Sequence, residues 1–344
     1  MSGVRARGED IRRFILENLA EHPKTIAKVT AERFGITRQA SGKHLQRLVD
    51  ENAITSHGTT RNREYALATL PVWNKTYKIT SALAEDVVWR EDVEKVLGEM
   101  PDNVMKIWHF GFSEMFNNAI DHSGGTRIVT SIRKTAIDTR MMIIDDGVGI
   151  FKKIQNALGL LDERHAVLEL SKGKLTTDPD NHSGEGIFFT SRMLDDFSIM
   201  SGEVSFAHKY GSPDDWVLEA SKPNKGTCVW MELSNHTARR MKKIYDQFTS
   251  GDDIGFTKTV VPVRLARYGD ENLISRSQAK RLLARVDRFK TVLFDFHGVP
   301  SIGQAFADEI FRVFRRRHPD MTVVPINAST AVKRMIEHAT AESE

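Results

Sequence analysis

A single cysteine, Cys228, serves the whole chain of 344 residues, so no disulfide can close within it and no cysteine-based metal cage can form. That usage suits a reducing compartment. No run of about 18 apolar residues is present, which excludes an ordinary membrane-spanning helix. The basic start, Met1 to Gly8, lacks the apolar stretch that an export signal carries. These absences together point to a cytoplasmic protein with no membrane partner. Charge of one sign is also scarce: the net charge of +3 is too small to announce nucleic acid, so any such signal must be local. Internal repeats and low-complexity tracts are missing as well. What is present is ordinary globular composition, 28% charged and 40% hydrophobic. At roughly 150 residues per domain the length allows two or three domains. Breaks in pattern suggest segments 1–70, 89–235 and 252–344, joined by linkers at 71–88 and 236–251.

Within 1–70, "EDIRRFILENLAEH", "TIAKVTAERFG" and "TRQASGKHLQRLVDENAI" read as three helices, and "AITSHGTTRNREYALA" as two strands around a basic turn. Gly35 stops the second helix and Thr37 can cap the third, from whose first turns Arg38, Gln39, Ser41 and Lys43 are expected to project. The pattern resembles a winged helix-turn-helix. That resemblance implies major-groove contact by the third helix and phosphate contact by the wing, where Arg61 and Arg63 lie. The segment carries 12 Lys and Arg against 8 Asp and Glu, so double-stranded DNA is an expected partner, with a protein-contact role as the alternative.

The middle segment opens with "FSEMFNNAIDHS", in which Glu114, Asn118 and His122 are spaced i, i+4, i+8. On a regular helix these share one face, opposite the apolar Met115, Phe116, Ala119 and Ile120. Strands are expected over 126–133 and 138–144. "IIDDGVGI" then places Asp145 at a strand end before Gly147 and Gly149, a turn that admits a flat ligand, with a carboxylate able to accept from an exocyclic amine. "HSGEGIFFTSRML" opens a helix at Gly184 and Gly186, whose N–H groups can meet phosphate oxygens. "NKGTCVWMEL" brings Gly226 and Thr227 into a last strand. The polar stretch 169–186 reads as a mobile loop over this ground.

Helix and glycine turns in this order resemble the GHKL, or Bergerat-fold, ATP-binding domain of gyrase, a heat-shock chaperone, mismatch-repair ATPases and two-component and anti-sigma kinases. The resemblance implies roles. Glu114 would orient or deprotonate the attacking group, Asn118 would ligate Mg²⁺, and His122 would line the phosphate side. Asp145 would take the adenine amine with Gly147 and Gly149 shaping its turn, Gly184 and Gly186 would cradle phosphates, and Thr227 would sit by the adenine. Lys172 and Lys174 are phosphate candidates by charge alone. The chain has no "GxxxxGK[ST]", so the P-loop route to ATP is absent. The short second glycine turn and His122 read closer to anti-sigma serine kinases than to histidine kinases, and no dimerising helix with a phosphorylatable histidine precedes the domain.

The third segment alternates strands and helices, "TVLFDF" being a buried strand. "LFDFHGVPSIGQAFADEIF" resembles a STAS-like domain, whose relatives include phosphorylated anti-sigma antagonists. The expected phosphoserine position falls near 304–306, where no hydroxyl exists, while Ser301 lies a few residues early. A docking or regulatory module for a protein partner is therefore implied. The expected fold class is multidomain α+β: a winged helix, a GHKL α/β sandwich of mixed or antiparallel sheet with helices on one face, and a small α/β STAS-like domain. ATP and Mg²⁺ are the expected cofactors. The expected function is an ATP-binding, ATP-hydrolysing regulator of transcription, with homodimerisation open. A serine/threonine kinase acting on a separate partner and a nucleotide-gated scaffold without turnover stand as alternatives.

Overall fold

The computed structural model describes residues 2–59, 62–68, 71–175, 184–212, 215–250, 255–267 and 271–341. Three helices open the chain: α1 (Ser2–Asn18), α2 (Ile26–Phe34) and α3 (Arg38–Asp50). Gly35 ends α2 in the left-handed conformation, φ 61°, and Thr37 caps α3 by accepting from the Ala40 N–H at 3.1 Å. Strands β1 (Ile54–His57) and β2 (Glu64–Leu67) then pair as an antiparallel hairpin, Ile54 opposite Leu67. Ile11, Ile15, Leu19, Ile26, Leu45 and Leu48 form a small core of their own.

The expected linker at 71–88 is instead partly sheet. β3 (Trp73–Lys78) pairs with β4 (Arg127–Lys134), because Tyr77 buries its ring opposite Ile128 and against Phe116. A short helix α4 (Glu85–Val88) runs through a wide turn into α5 (Glu94–Leu97), followed by the long α6 (Asp102–Asn117). With β5 (Asp138–Asp145), β6 (Asp196–Lys209) and β7 (Asp215–Ser234), the strands make an antiparallel sheet of order β3-β4-β5-β7-β6. Alternate residues of β5, Thr139, Met141, Ile143 and Asp145, are buried. They meet α6, whose Val104, Ile107, Trp108, Phe112, Met115 and Phe116 repeat at helical spacing and are buried too. Each such aromatic contributes about 1.5–3 kcal/mol over exposure to water.

Helices α7 (Ile150–Leu158), α8 (Glu163–Lys172) and α9 (Gly186–Met193) complete the layer. The stretch expected to be a mobile loop therefore begins as helix, with Asp162 capping α8 at the His165 N–H and residues 165–172 buried. Its remainder at 176–183 lies outside the described residues. The second expected linker, 236–251, holds α10 (Met241–Gln247), whose Ile244 is buried together with Phe248.

A three-stranded parallel sheet follows, β8 (Lys258–Pro262), β9 (Thr291–Asp295) and β10 (Thr322–Ile326), with β9 central. It is flanked by α11 (Arg276–Leu283), α12 (Gln304–Asp308), α13 (Arg315–Arg317) and α14 (Thr330–Ala341). Ser275 and Gln278 close a capping box on α11. Phe188, Phe256 and Phe289 stack in series at 4.5 and 5.0 Å, so the middle and C-terminal segments share one continuous core. Among the described residues no helix is long and apolar enough to cross a membrane.

Candidate functional site

A cavity of about 270 Å³ lies between α6, the sheet, α7 and the start of α9. Its lining includes Glu114, Asn118, His122, Asp145, Gly184, Gly186 and Thr227, residues drawn from four separate stretches of sequence. The helix that supplies the first three is not regular. It widens into a π-type turn at Asn118–His122, so His122 is carried round the axis from its α-helical position and still reaches the cavity. Such turns concentrate at functional sites.

Asp145 ends β5 at 6% exposure. Its Oδ1 accepts from the N–H groups of Gly147 at 2.9 Å and Thr227 at 3.2 Å. Burial pushes its carboxyl above the usual range, and those two N–H donors and the Thr227 hydroxyl oppose the shift. Thr227 Oγ1 in turn accepts from the Ile150 N–H at 3.0 Å, which fixes the start of α7. Gly147 and Gly149 shape this turn without lining the cavity. Gly149 has φ 96°, and a Cβ there would lie 2.6 Å from Ser201 Oγ. At the far end, Gly186 leaves room for the Glu114 carboxylate: a Cβ there would fall 1.8 Å from Glu114 Oε2, so that side chain would have to move.

Several lining residues escaped the sequence reading. Ile143, Ile150, Ile154, Ile199, Val229, Leu170 and Leu175 give the cavity apolar walls around its few polar groups, the usual make-up of a small-molecule site. Lys153 also lines it, donating from Nζ to the His122 carbonyl at 2.8 Å, and burial holds its pKa down. Lys152 beside it is exposed and bonds Gln155. Only the phase of α7 against the sheet distinguishes the two lysines.

Other expected site residues are placed elsewhere. Lys172 is 1% exposed, does not line the cavity, and bonds Glu169 and two carbonyls of the C-terminal segment. Lys174 likewise donates to the Arg288 carbonyl at 3.2 Å and lies over the Phe289 ring. Neither lines the cavity, and both bond carbonyls of the C-terminal segment. In the N-terminal segment Arg38, Gln39, Lys43 and Arg63 are exposed, while Arg61 lies outside the described residues. Ser41 is fully buried with an unpartnered hydroxyl, so it faces the core rather than a ligand. Ser301 is exposed just before α12, and the first residues of α12 carry no hydroxyl.

A half-apolar cavity lies between one helix layer and an antiparallel sheet, with a buried carboxylate at one end and a glycine-opened helix at the other, in an α/β sandwich. Residues 108–237 match the family of histidine kinase-, DNA gyrase B- and HSP90-like ATPases, and residues 278–333 match the STAS-like domain of unknown function. The first span contains every lining residue from Glu114 to Val229. The chain thus carries a GHKL ATPase domain, a nucleotide-binding module, followed by a STAS-like domain. No curated protein matches the chain.

Proposed function

We propose that this protein is an ATP-binding regulator whose GHKL domain governs DNA contact by the N-terminal helices and hairpin. The observation that carries the reading is the convergence of Glu114, Asn118, Asp145, Gly186 and Thr227 on one cavity. Asp145 and Thr227 take the adenine edge against the isoleucine walls. His122, Lys153 and the N–H groups after Gly184 face the phosphates. Among the described residues no three His, Cys, Asp or Glu side chains cluster to hold a metal unaided. The Asn118 amide oxygen on this wall would hold Mg²⁺ together with a bound nucleotide, and the ion would supply charge neutralisation. Glu114 orients the attacking water and accepts its proton, a contribution of about 10²–10⁴-fold to turnover.

Coupling to DNA has a structural route. Ala136 and Ile137, in the turn between β4 and β5, pack on the core of the N-terminal segment, and β5 runs from that turn to Asp145. One strand thereby joins the adenine end of the cavity to the base of α1–α3. Arg38 and Lys43 on α3, with Arg63 beside β2, supply the charge for DNA contact, and Gln39 supplies a neutral hydrogen-bonding amide.

The test is calorimetric titration of MgATP into the full chain and its Asp145→Ala variant, then capture of duplexes from a random-sequence pool with and without MgATP. Saturable binding lost in the variant, and ATP-dependent capture, support the reading. Unchanged capture and unchanged oligomeric state with ATP overturn it. A second reading, a serine/threonine kinase of anti-sigma type, draws support from the STAS-like domain on the same chain. Labelled γ-phosphate transferred to protein rather than water would favour it.

A further inference from the structure

We propose that the STAS-like domain is a working part of the nucleotide site, with Lys172 as the positioning residue that ties the cavity wall to it. The inference rests on the cavity being a nucleotide site. Lys172 Nζ is buried and uses all three of its hydrogens: on Glu169 Oε1 at 2.6 Å, the Arg281 carbonyl at 3.1 Å and the Ala284 carbonyl at 2.8 Å. Those carbonyls lie at the C-terminal end of α11, Ala284 being its cap residue, where the helix dipole is negative; the Arg281 carbonyl also accepts a long bond from the Ala284 N–H at 3.4 Å. The Lys172 carbonyl itself accepts from Thr259 Oγ1 on β8 at 2.6 Å. Lys174 and Arg288 then exchange bonds, Lys174 Nζ to the Arg288 carbonyl and Arg288 Nη1 to the Lys174 carbonyl at 2.9 Å.

The same few residues form the cavity wall. Leu170 and Leu175 line it on either side of these ties, and the Leu175 N–H donates to the Gly184 carbonyl at 3.1 Å, reaching the phosphate end. Along 170–175, contacts to the cavity therefore flank the contacts to the C-terminal domain. A displacement of α11 must move the wall, and nucleotide that orders the wall must hold α11. Linkage makes the effect reciprocal: whatever factor a partner docked on α11 imposes on ATP affinity, ATP imposes on that partner.

Removing Lys172 alone would leave the buried Glu169 carboxylate with only the longer Arg285 Nε pairing at 3.8 Å, so the test replaces Lys172 and Glu169 by apolar residues, Lys172→Met with Glu169→Leu, in the full chain. A second variant, Thr259→Val, cuts the other tie without touching a charge. Each is compared with the parent by thermal unfolding, MgATP titration and amide exchange. Expected results are an unfolding temperature near the parent's, about tenfold weaker MgATP binding, equivalent to about 1.4 kcal/mol, and faster exchange at 168–175. MgATP should slow exchange at the end of α11 in the parent and not in the pair variant. A folded pair variant with parental affinity and parental α11 protection overturns the proposal. Should the pair variant misfold, Thr259→Val decides by the same readings. A parent that binds no MgATP overturns the nucleotide reading itself, and this inference with it.

Discussion

Glu114 and Gly186 compete for one volume: the Cβ that Gly186 lacks would sit 1.8 Å from Glu114 Oε2. With glycine there, the start of α9 lies against the carboxylate of α6 in its present rotamer. Gly186→Ala should therefore push Glu114 or α9 aside at a cost of about 1–3 kcal/mol. Nucleotide affinity should fall at least about tenfold, while the N-terminal core, which shares no contact with this point, keeps its stability. Calorimetric titration with differential scanning separates the two effects.

Glu114→Gln keeps the shape of the side chain and removes its basicity. MgATP binding should stay within about twofold of the parent, and phosphate release should drop by about 10²–10⁴-fold. A variant that turns over like the parent would remove Glu114 from the chemistry, and a parent that releases no phosphate would assign this protein to binding without hydrolysis.

The Asp145 carboxylate accepts from an adenine amine more strongly when ionised. Burial raises its pKa, so affinity should weaken as pH falls through that raised value, at a higher pH than for an ordinary carboxylate. Titrating MgATP across this window into the parent and an Asp145→Asn variant cancels the protonation of the nucleotide itself. The parent should lose affinity earlier than the variant.

On α3 the two neighbours of Gly42 should part ways. Lys43→Ala removes an exposed charge and should weaken DNA capture without altering stability. Ser41→Ala removes a buried hydroxyl that has no partner, so it should leave DNA capture intact and raise stability by up to about 1 kcal/mol. Equilibrium denaturation beside a gel-shift assay reads both.

Phe116 packs on Phe112 at 5.0 Å and on Tyr77 at 5.5 Å in the large core. Truncation to alanine should cost about 3–5 kcal/mol. Because that core runs unbroken through the STAS-like domain, the calorimetric transition of both domains should shift together, and that of the separate N-terminal core should not.

The polar constellation was legible in the sequence because each element declares itself locally. Apolar residues at helical spacing marked α6, and glycines at Gly147, Gly149, Gly184 and Gly186 marked places where backbone must approach something closely. What escaped was whatever depends on how one element is phased against another. Lys153 and Lys152 are equivalent in sequence, and the sheet alone turns one inward. The segments at 71–88 and 236–251 read as linkers because they fall between the three patterned segments. Tyr77, Ile244 and Phe248 nevertheless find a core to enter.

By itself, then, the order of residues determined the helices, the glycine turns and the carboxylate at a strand end, since propensity, capping and close approach act within a few residues. Tertiary structure alone decided which lysines meet the cavity. Lys172 and Lys174, basic residues in a polar stretch, are drawn instead to the carbonyls of Arg281, Ala284 and Arg288. A buried ammonium needs several acceptors at once, and these come from a helix more than a hundred residues away.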